Sequence, residues 1–243
     1  MKTTRRVYFF TEAKWALEDI IKQRLKVCRF FDLNDPFELL AAEQGDMAFR
    51  RKLRDWAKTL NEKDGLLCFS ESWRNPLMWS HYGDRHKGIC LGFDVAERIL
   101  QPPINYSPKR LTSAQWNGVN LADPPNGLRE ALLTTKFERW KYEKERRVIL
   151  PLKGLVQDGQ LFFKKFDCDL KLAEVIAGPR CCVKWKRPLE TAIEDLPARP
   201  RLIKARLAFK QFKVVTQKLE NSVELGFEAE GLWQKCVCLE PHF

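Results

Sequence analysis

In "YEKERRVILPL", residues 142–152, two carboxylates and a guanidinium recur at a spacing of two. Side chains of a strand alternate between faces, so Glu143, Glu145, Arg147 and Ile149 fall together, with Lys144, Arg146, Val148 and Leu150 opposite. Two acids beside one base on a common face can stabilise a developing positive charge or move a proton. The same pattern also describes an ion pair running along a strand. A second concentration lies in "CFSESWRNPLMWSHYGDRHKGICLGFD", residues 68–94, which holds two of the three histidines and two of the eight tryptophans. It offers Ser70, Glu71, Asn75, His81, Tyr82, Asp84 and His86. His81 and His86 stand five apart across a predicted helix stop, so their spacing does not bring them to one metal, and no metal ligand is assigned. Trp73 and Trp79 fit core packing as well as a base-stacking platform.

The elements that must position these groups are readable in part. "VYFF", residues 7–10, is β-prone, and in "EAKWALEDIIKQRLKV" the apolar Trp15, Ala16, Ile20, Ile21 and Leu25 are spaced for a helix with Thr11 as its N-cap. Asn34, Asp35 and Pro36 in "FFDLNDPFEL" form a turn, and the stretch 38–62 reads as one or two helices. "GLLCFS" has strand length. Asn75 is a natural N-cap, Pro76 suits the first helical position and Gly83 can stop the helix after about two turns. That helix would put Asn75, Met78, Trp79 and Tyr82 on one face, over a cleft floored by Ser70. "GICLGFDV" is apolar enough for a central strand. Residues 101–127, with Pro102, Pro103, Pro108, Pro124 and Pro125, read as a long loop or lid, and 128–141 as a helix. "GQLFFKKF", "LAEVIAGPRC" and "LIKARLAFKQFKVV" supply further strand or mixed segments, with a turn at Gly178 and Pro179; 217–243 is the least readable part.

Composition narrows the classes. The 243 residues, 44% apolar and 12% aromatic, can bury a substantial core. No apolar run approaches the roughly 18–20 residues that span a bilayer, and "MKTTRRVYFF" lacks a signal-peptide core, so no membrane partner and a cytoplasmic location are expected. The eight cysteines are expected as reduced thiols, and their spacings match no paired zinc knuckle. Forty-three Lys and Arg against 32 Asp and Glu give a net charge of +11, which favours polyanions such as RNA or DNA. The G-x-G-x-x-G, P-loop, H-E-x-x-H and G-x-S-x-G motifs are absent, which removes sequence support for the corresponding enzymes.

Taken together, "FFDLNDPFEL", "CFSES..NPLMWSHYGDRHKGICLGFD", "KYEKERRV" and "EVIAGPRC" resemble the bacterial domain-of-unknown-function family 2971, over about residues 7–182. The layout further resembles an ADP-ribosyltransferase: an opening strand followed by a helix, a serine-bearing strand and a late Glu-x-Glu strand. That resemblance implies a cofactor-facing opening at Tyr8 to Thr11, a serine motif at Ser70 and a catalytic Glu145 with Glu143 as its partner. NAD is the implied cofactor, with Asn75, Trp79, His81, Tyr82 and Arg147 also set to bind it. Cleavage of the nicotinamide–ribose bond passes through an oxocarbenium-like state, which a nearby carboxylate stabilises. The opening strand departs from the transferase pattern, having Tyr8, Phe9 and Phe10 where an Arg or His is usual.

The expectation is therefore an α+β chain. A single domain over 1–215 would hold a central, mostly antiparallel split sheet flanked by helices, ADP-ribosyltransferase-like, with an extension over 216–243 packed on it. Its expected function is ADP-ribosylation of a macromolecular acceptor, in a toxin or phage-defence effector. The alternatives are a metal-dependent nuclease using Asp35, Glu38, Glu71, Asp84, Glu143 or Glu145, and a non-enzymatic nucleic-acid-binding module. Acceptor and oligomeric state are left open.

Overall fold

The computed structural model describes residues 3–112, 119–120 and 124–217, so the expected C-terminal extension lies, beyond residue 217, outside the described residues. The architecture is mixed α and β with a large, mostly antiparallel sheet. The described residues fall into two compact units, one drawn from 3–24, 70–97 and 166–217, the other from the described parts of 25–69 and 98–165.

The first unit is built on β1 (Thr4–Thr11), β4 (Ile89–Ala96), β10 (Leu170–Ala177), β11 (Arg201–Leu207) and β12 (Val214–Thr216), in the order β12-β11-β10-β4-β1. Only β10 and β11 pair in parallel. The apolar run of β4 requires a place where both faces are covered, and all of its residues except Asp94 are buried. Helices α1 (Ala13–Ile21) and α5 (Lys186–Glu194) pack on one another, α1 also on β4 and α5 on β11.

Thr11 does not cap α1. Strand pairing with Ile89 carries β1 through Thr11, and Glu12 takes the N-cap place without a side-chain bond. A Cβ on Gly88 would stand 2.2 Å from the Thr11 carbonyl oxygen, so this close approach needs glycine. Helix α3 (Pro76–His81) follows the sequence reading: Asn75 Oδ1 accepts from the Leu77 N–H at 3.0 Å, and Pro76 opens the helix.

In the second unit β3 (Asp64–Ser70), whose last residue counts with the first unit, lies beside β7 (Glu145–Pro151). Strands β2 (Arg24–Val27), β9 (Leu161–Lys165) and β8 (Val156–Asp158) make a three-stranded sheet, and β5 (Asn105–Ser107) and β6 (Thr135–Phe137) a parallel pair. Helix α2 (Met47–Lys63) buries Phe49, Leu53, Trp56, Ala57 and Leu60 along one stripe. They form one core with Leu66 of β3 and with Leu128, Leu132 and Leu133 of α4 (Asn126–Thr134). Asp46 caps α2 by accepting from the Phe49 N–H, so the helix begins later than the expected 38.

The helix expected over 128–141 ends at Thr134. Thr135–Phe137 leave it to pair with β5, a 3-10 turn occupies Glu138–Glu143, and Lys144 at a φ of 46° redirects the chain into β7. Glu143 therefore precedes the strand on which it was expected. Cys28, Cys68, Cys90, Cys168 and Cys181 are free thiols, whereas Cys182 is disulfide-bonded, which corrects the expectation of eight reduced cysteines. No helix among the described residues is long and apolar enough to cross a membrane.

Candidate functional site

Alternation along β7 places Glu145 and Arg147 on one face, as the two-residue spacing requires. Both are buried, and neither is alone. The Arg147 guanidinium has five N–H donors, and all five find acceptors. Nε donates to Glu145 Oε1 at 2.7 Å, Nη1 to Glu38 Oε1 at 2.6 Å and to the Leu133 carbonyl at 2.9 Å. Nη2 donates to Glu38 Oε2 at 2.9 Å and to Glu145 Oε2 at 3.1 Å. Glu38 comes from the turn that follows Asp35, whose Oδ1 accepts from the Phe37 N–H at 2.9 Å.

Lys136, the middle residue of β6, completes the cluster. Its ammonium donates to Glu143 Oε2 at 2.6 Å and to Glu145 Oε2 at 3.2 Å, and lies 4.9 Å from the centre of the Trp140 ring. The Tyr106 hydroxyl accepts from the Glu145 N–H at 2.8 Å, which fixes the head of β7. Three carboxylates thus face two cations in a buried setting. Burial would lift the Glu145 pKa, but the charges of Arg147 and then Lys136, with hydrogen bonds from Arg147 and Cys68, hold it down to about 2. Burial likewise opposes the Lys136 charge, and Glu145 and Glu143 outweigh it, raising that ammonium above its usual range.

This arrangement predicts an acid limb. The folded pKa of Glu145, about 2, is depressed from the ordinary glutamate value of 4.5. Its contribution is present above about pH 4.5 and is lost as pH falls through about 2, amounting to about 3 kcal/mol. Asp19, pushed up to about 7 by burial, acts with the opposite sign, so the readout is the difference between wild type and Glu145→Gln in urea unfolding across pH 2–7. Parallel curves for the two proteins would show that Glu145 is not held in this way.

A cavity of about 240 Å³ opens against the network, lined by Asp35, Phe37, Glu38, Lys109, Arg110 and Lys136 among others. The Arg110 guanidinium lies 5.1 Å from the centre of the Phe37 ring. The volume is below the roughly 300–1,000 Å³ usual for a complete drug-sized ligand site. Glu38 and Lys136 lie on its wall, and Glu145 is bonded to Lys136 behind it.

The remaining expected residues belong to the first unit. Directly opposed residues of paired strands share a face, and the register sets Arg201, Glu174, Gly92, Tyr8 and Ser70 in one row. Glu174 is paired with Arg201 and lies 3.1 Å from Arg6 Nη1; Arg6 also holds Asp94, at 2.7 Å from Nε and 3.0 Å from Nη2. Burial, then the charge of Glu174, pushes Tyr8 up to about 12. A Cβ on Gly92 would be 3.0 Å from the Glu174 side chain and 3.2 Å from the Tyr8 ring, so this glycine leaves them their space. Ser70 Oγ donates to the Ser72 carbonyl at 3.1 Å. Thr11 ends β1, and Asn75 caps α3. Trp79 is fully buried, its Nε1 donating to the Trp73 carbonyl at 2.6 Å and its ring meeting Phe10 edge-on at 5.1 Å. That is the core role. His81 is exposed with its ring 6.0 Å from that of Tyr82, and His86 Nε2 lies 3.0 Å from Ser80 Oγ.

The structure thus brings Glu143, Glu145 and Arg147 together, and sets Tyr8 and Ser70 in a separate row. Lys136 and Tyr106 escaped the sequence reading, and Glu38 stood there only among the carboxylates of the alternative metal-dependent nuclease. The signal for Glu38 was its place in "NDPFE"; Lys136 carried none, since its partners depend on β5–β6 pairing. Among the described residues no group of three or more His, Cys, Asp or Glu side chains is arranged to hold a metal. The carboxylates of the network meet around Arg147 and Lys136 instead.

No curated protein and no solved structure matches the chain. The family resemblance read over about 7–182 has support over a shorter stretch, which holds Lys136 and the Glu143–Arg147 motif but neither Glu38 nor Tyr8. Over residues 78–148 the chain matches the model of the family described as "Protein of unknown function (DUF2971)".

Proposed function

We propose that the chain is an ADP-ribosyltransferase-like enzyme that cleaves NAD, with the nicotinamide-riboside half of the dinucleotide in the cavity of the second unit. The observation that carries this reading is the convergence of the "NDPFE" turn, β6 and the "YEKER" motif on one buried set of fixed charges that opens into a cavity. Two carboxylates, Asp35 and Glu38, lie on the cavity wall, and this reading assigns the ribose to Glu38, the one that Arg147 holds through both Oε atoms. Glu145 and Glu143 stand behind it and set the positions of Arg147 and Lys136, so their expected direct catalytic role becomes one of positioning.

In the reaction the bond between the nicotinamide nitrogen and the ribose C1′ breaks, and its electron pair leaves with nicotinamide. The ribose acquires oxocarbenium character, which the Glu38 carboxyl group, on the cavity wall, is placed to stabilise. A nucleophile of the acceptor macromolecule then bonds to C1′ and gives up its proton to solvent. Lys136 and Arg110 supply positive charge for the ribose hydroxyls and phosphates, and Phe37 an aromatic face for the nicotinamide ring. A toxin or phage-defence effector is the setting this activity implies.

The test is incubation with labelled NAD and lysate divided into nucleic-acid and protein fractions. Wild type should release nicotinamide and label one fraction. Glu38→Gln should lose roughly 100- to 1,000-fold in rate, the scale of removing one electrostatic stabiliser. Phe37→Ala, at a half-exposed ring whose loss leaves the core intact, should raise KM more than it lowers kcat. Failure of NAD both to be cleaved and to protect the protein against thermal unfolding would overturn the proposal.

A further inference from the structure

A net charge of +11 does not say where a polyanion would bind, and the hairpin at one edge of the first unit's sheet does. Strands β11 and β12 pair through Ala205↔Thr216, Arg206↔Val215 and Leu207↔Val214, and residues 208–213, "AFKQFK", form the tip. The tip is closed by Ala208 N–H donating to the Lys213 carbonyl at 2.9 Å. On this short frame Phe209 is 87% and Phe212 99% exposed. Large aromatic side chains left in water at a turn cost solvation free energy that folding has not recovered, which points to a partner.

The surrounding charge has one sign. From Arg201 to Gln217 there are five cations and no carboxylate. Arg201 is engaged by Glu174, and Lys204 donates to the carbonyls of Gly178, Pro179 and Ala205. Lys210 and Lys213 stand around the tip with Arg206, whose Nη1 donates to the Leu207 carbonyl at 3.0 Å. Arg74 joins them, because its carbonyl accepts from the Val214 N–H at 2.9 Å and so ties it to β12. Arg74, Arg206, Phe209 and Lys210 also line a hollow of about 600 Å³, room for a nucleotide.

We infer that this hairpin binds single-stranded nucleic acid, with bases stacked on Phe209 and Phe212 and phosphates on Arg74, Arg206, Lys210 and Lys213. Alternating aromatic and cationic side chains are what a stacked, charged strand requires. An anionic membrane surface fits less well. The two rings are separated by Lys210 and Gln211, and Arg206 covers the Phe209 ring at 4.4 Å, so sinking that ring among acyl chains would take a guanidinium with it. A base can instead slide onto the free faces while the cations stay in water. This inference does not rest on the transferase reading, since it concerns another unit and needs no NAD.

The experiment is fluorescence anisotropy of a labelled oligothymidylate with the full chain, titrated at several salt concentrations. Wild type should bind with a steep salt dependence. Phe209→Ala and Phe212→Ala should each weaken binding roughly 5- to 150-fold with the salt slope unchanged. Lys210→Gln with Lys213→Gln should reduce the slope of log K against log salt by roughly 0.7 per cation removed. All four side chains are exposed, so thermal unfolding should stay at the wild-type value. Two results would overturn the inference: oligonucleotide binding that is absent at low salt or indifferent to both phenylalanines, or phenylalanine-dependent uptake by phosphatidylserine vesicles without oligonucleotide binding.

Discussion

Replacing Arg147 by methionine should lower the unfolding free energy by about 3–5 kcal/mol, the usual result of stripping one partner from a buried ion cluster. The expected size follows from the geometry. Arg147 is the one group bonded to both Glu38 and Glu145, and with it gone three carboxylates share Lys136 as the only cation of the cluster. The Leu133 carbonyl also loses a donor. Arg147→Lys keeps the charge but offers at most three donors in place of five, so its cost should be intermediate. Combining Arg147→Met with Glu38→Leu and Glu145→Leu removes the charges together, and stability should return toward wild type, because a buried ion network is worth little more than apolar side chains of similar volume. Urea unfolding with constant m-values is the measurement. A loss under about 1 kcal/mol for Arg147→Met would mean that water reaches the cluster and screens it. The triple variant also separates roles: it should fold yet release no nicotinamide, whereas a purely structural network would leave any NAD turnover intact.

Features set by neighbouring residues were legible in the sequence, and features set by pairing across the chain were not. The Asn75 cap, Pro76 at the start of α3 and the buried run of β4 depend on local chemistry, and each stands where the pattern placed it. The common face of Glu145 and Arg147 follows from the strand period alone. Thr11 was misread because its competing partner, Ile89, lies far along the chain: the ladder with β4 extends the strand past the point where a threonine would cap. The helix expected over 128–141 fails for the same reason, since the parallel pairing of Thr135–Phe137 with Asn105–Ser107 overrides a favourable local pattern. The candidate site shows the consequence. Glu38 and Arg147 are 109 residues apart and meet only when a turn and a strand end are assembled. Tyr8 and Ser70 were singled out from the sequence, but Glu174 was not, and neither was the register across four strands that puts the three in one row.

Trp79→Ala should cost about 3–5 kcal/mol, comparable to the loss of Arg147 but by a different route. Trp79 is fully buried, and its ring fills the space between Phe10 and the close backbone approaches at Gly83 and Gly178, where added Cβ atoms would lie 2.8 Å and 2.9 Å from it. Those glycines bring the backbone so near the ring that the shell has little room to collapse, which keeps the cavity left by alanine large and its cost high. Trp79→Phe isolates the polar part: it keeps most of the ring but strands the Trp73 carbonyl, which should cost about 1–3 kcal/mol. Both are read from chemical unfolding followed by circular dichroism. The residue was also a candidate for stacking on a cofactor, and the pair of variants tests that directly. A sealed core tryptophan predicts that Trp79→Phe leaves the affinities for NAD and for oligonucleotide unchanged while stability falls. A drop in either affinity at undiminished stability would instead place the indole in a binding site and require the α3 segment to open.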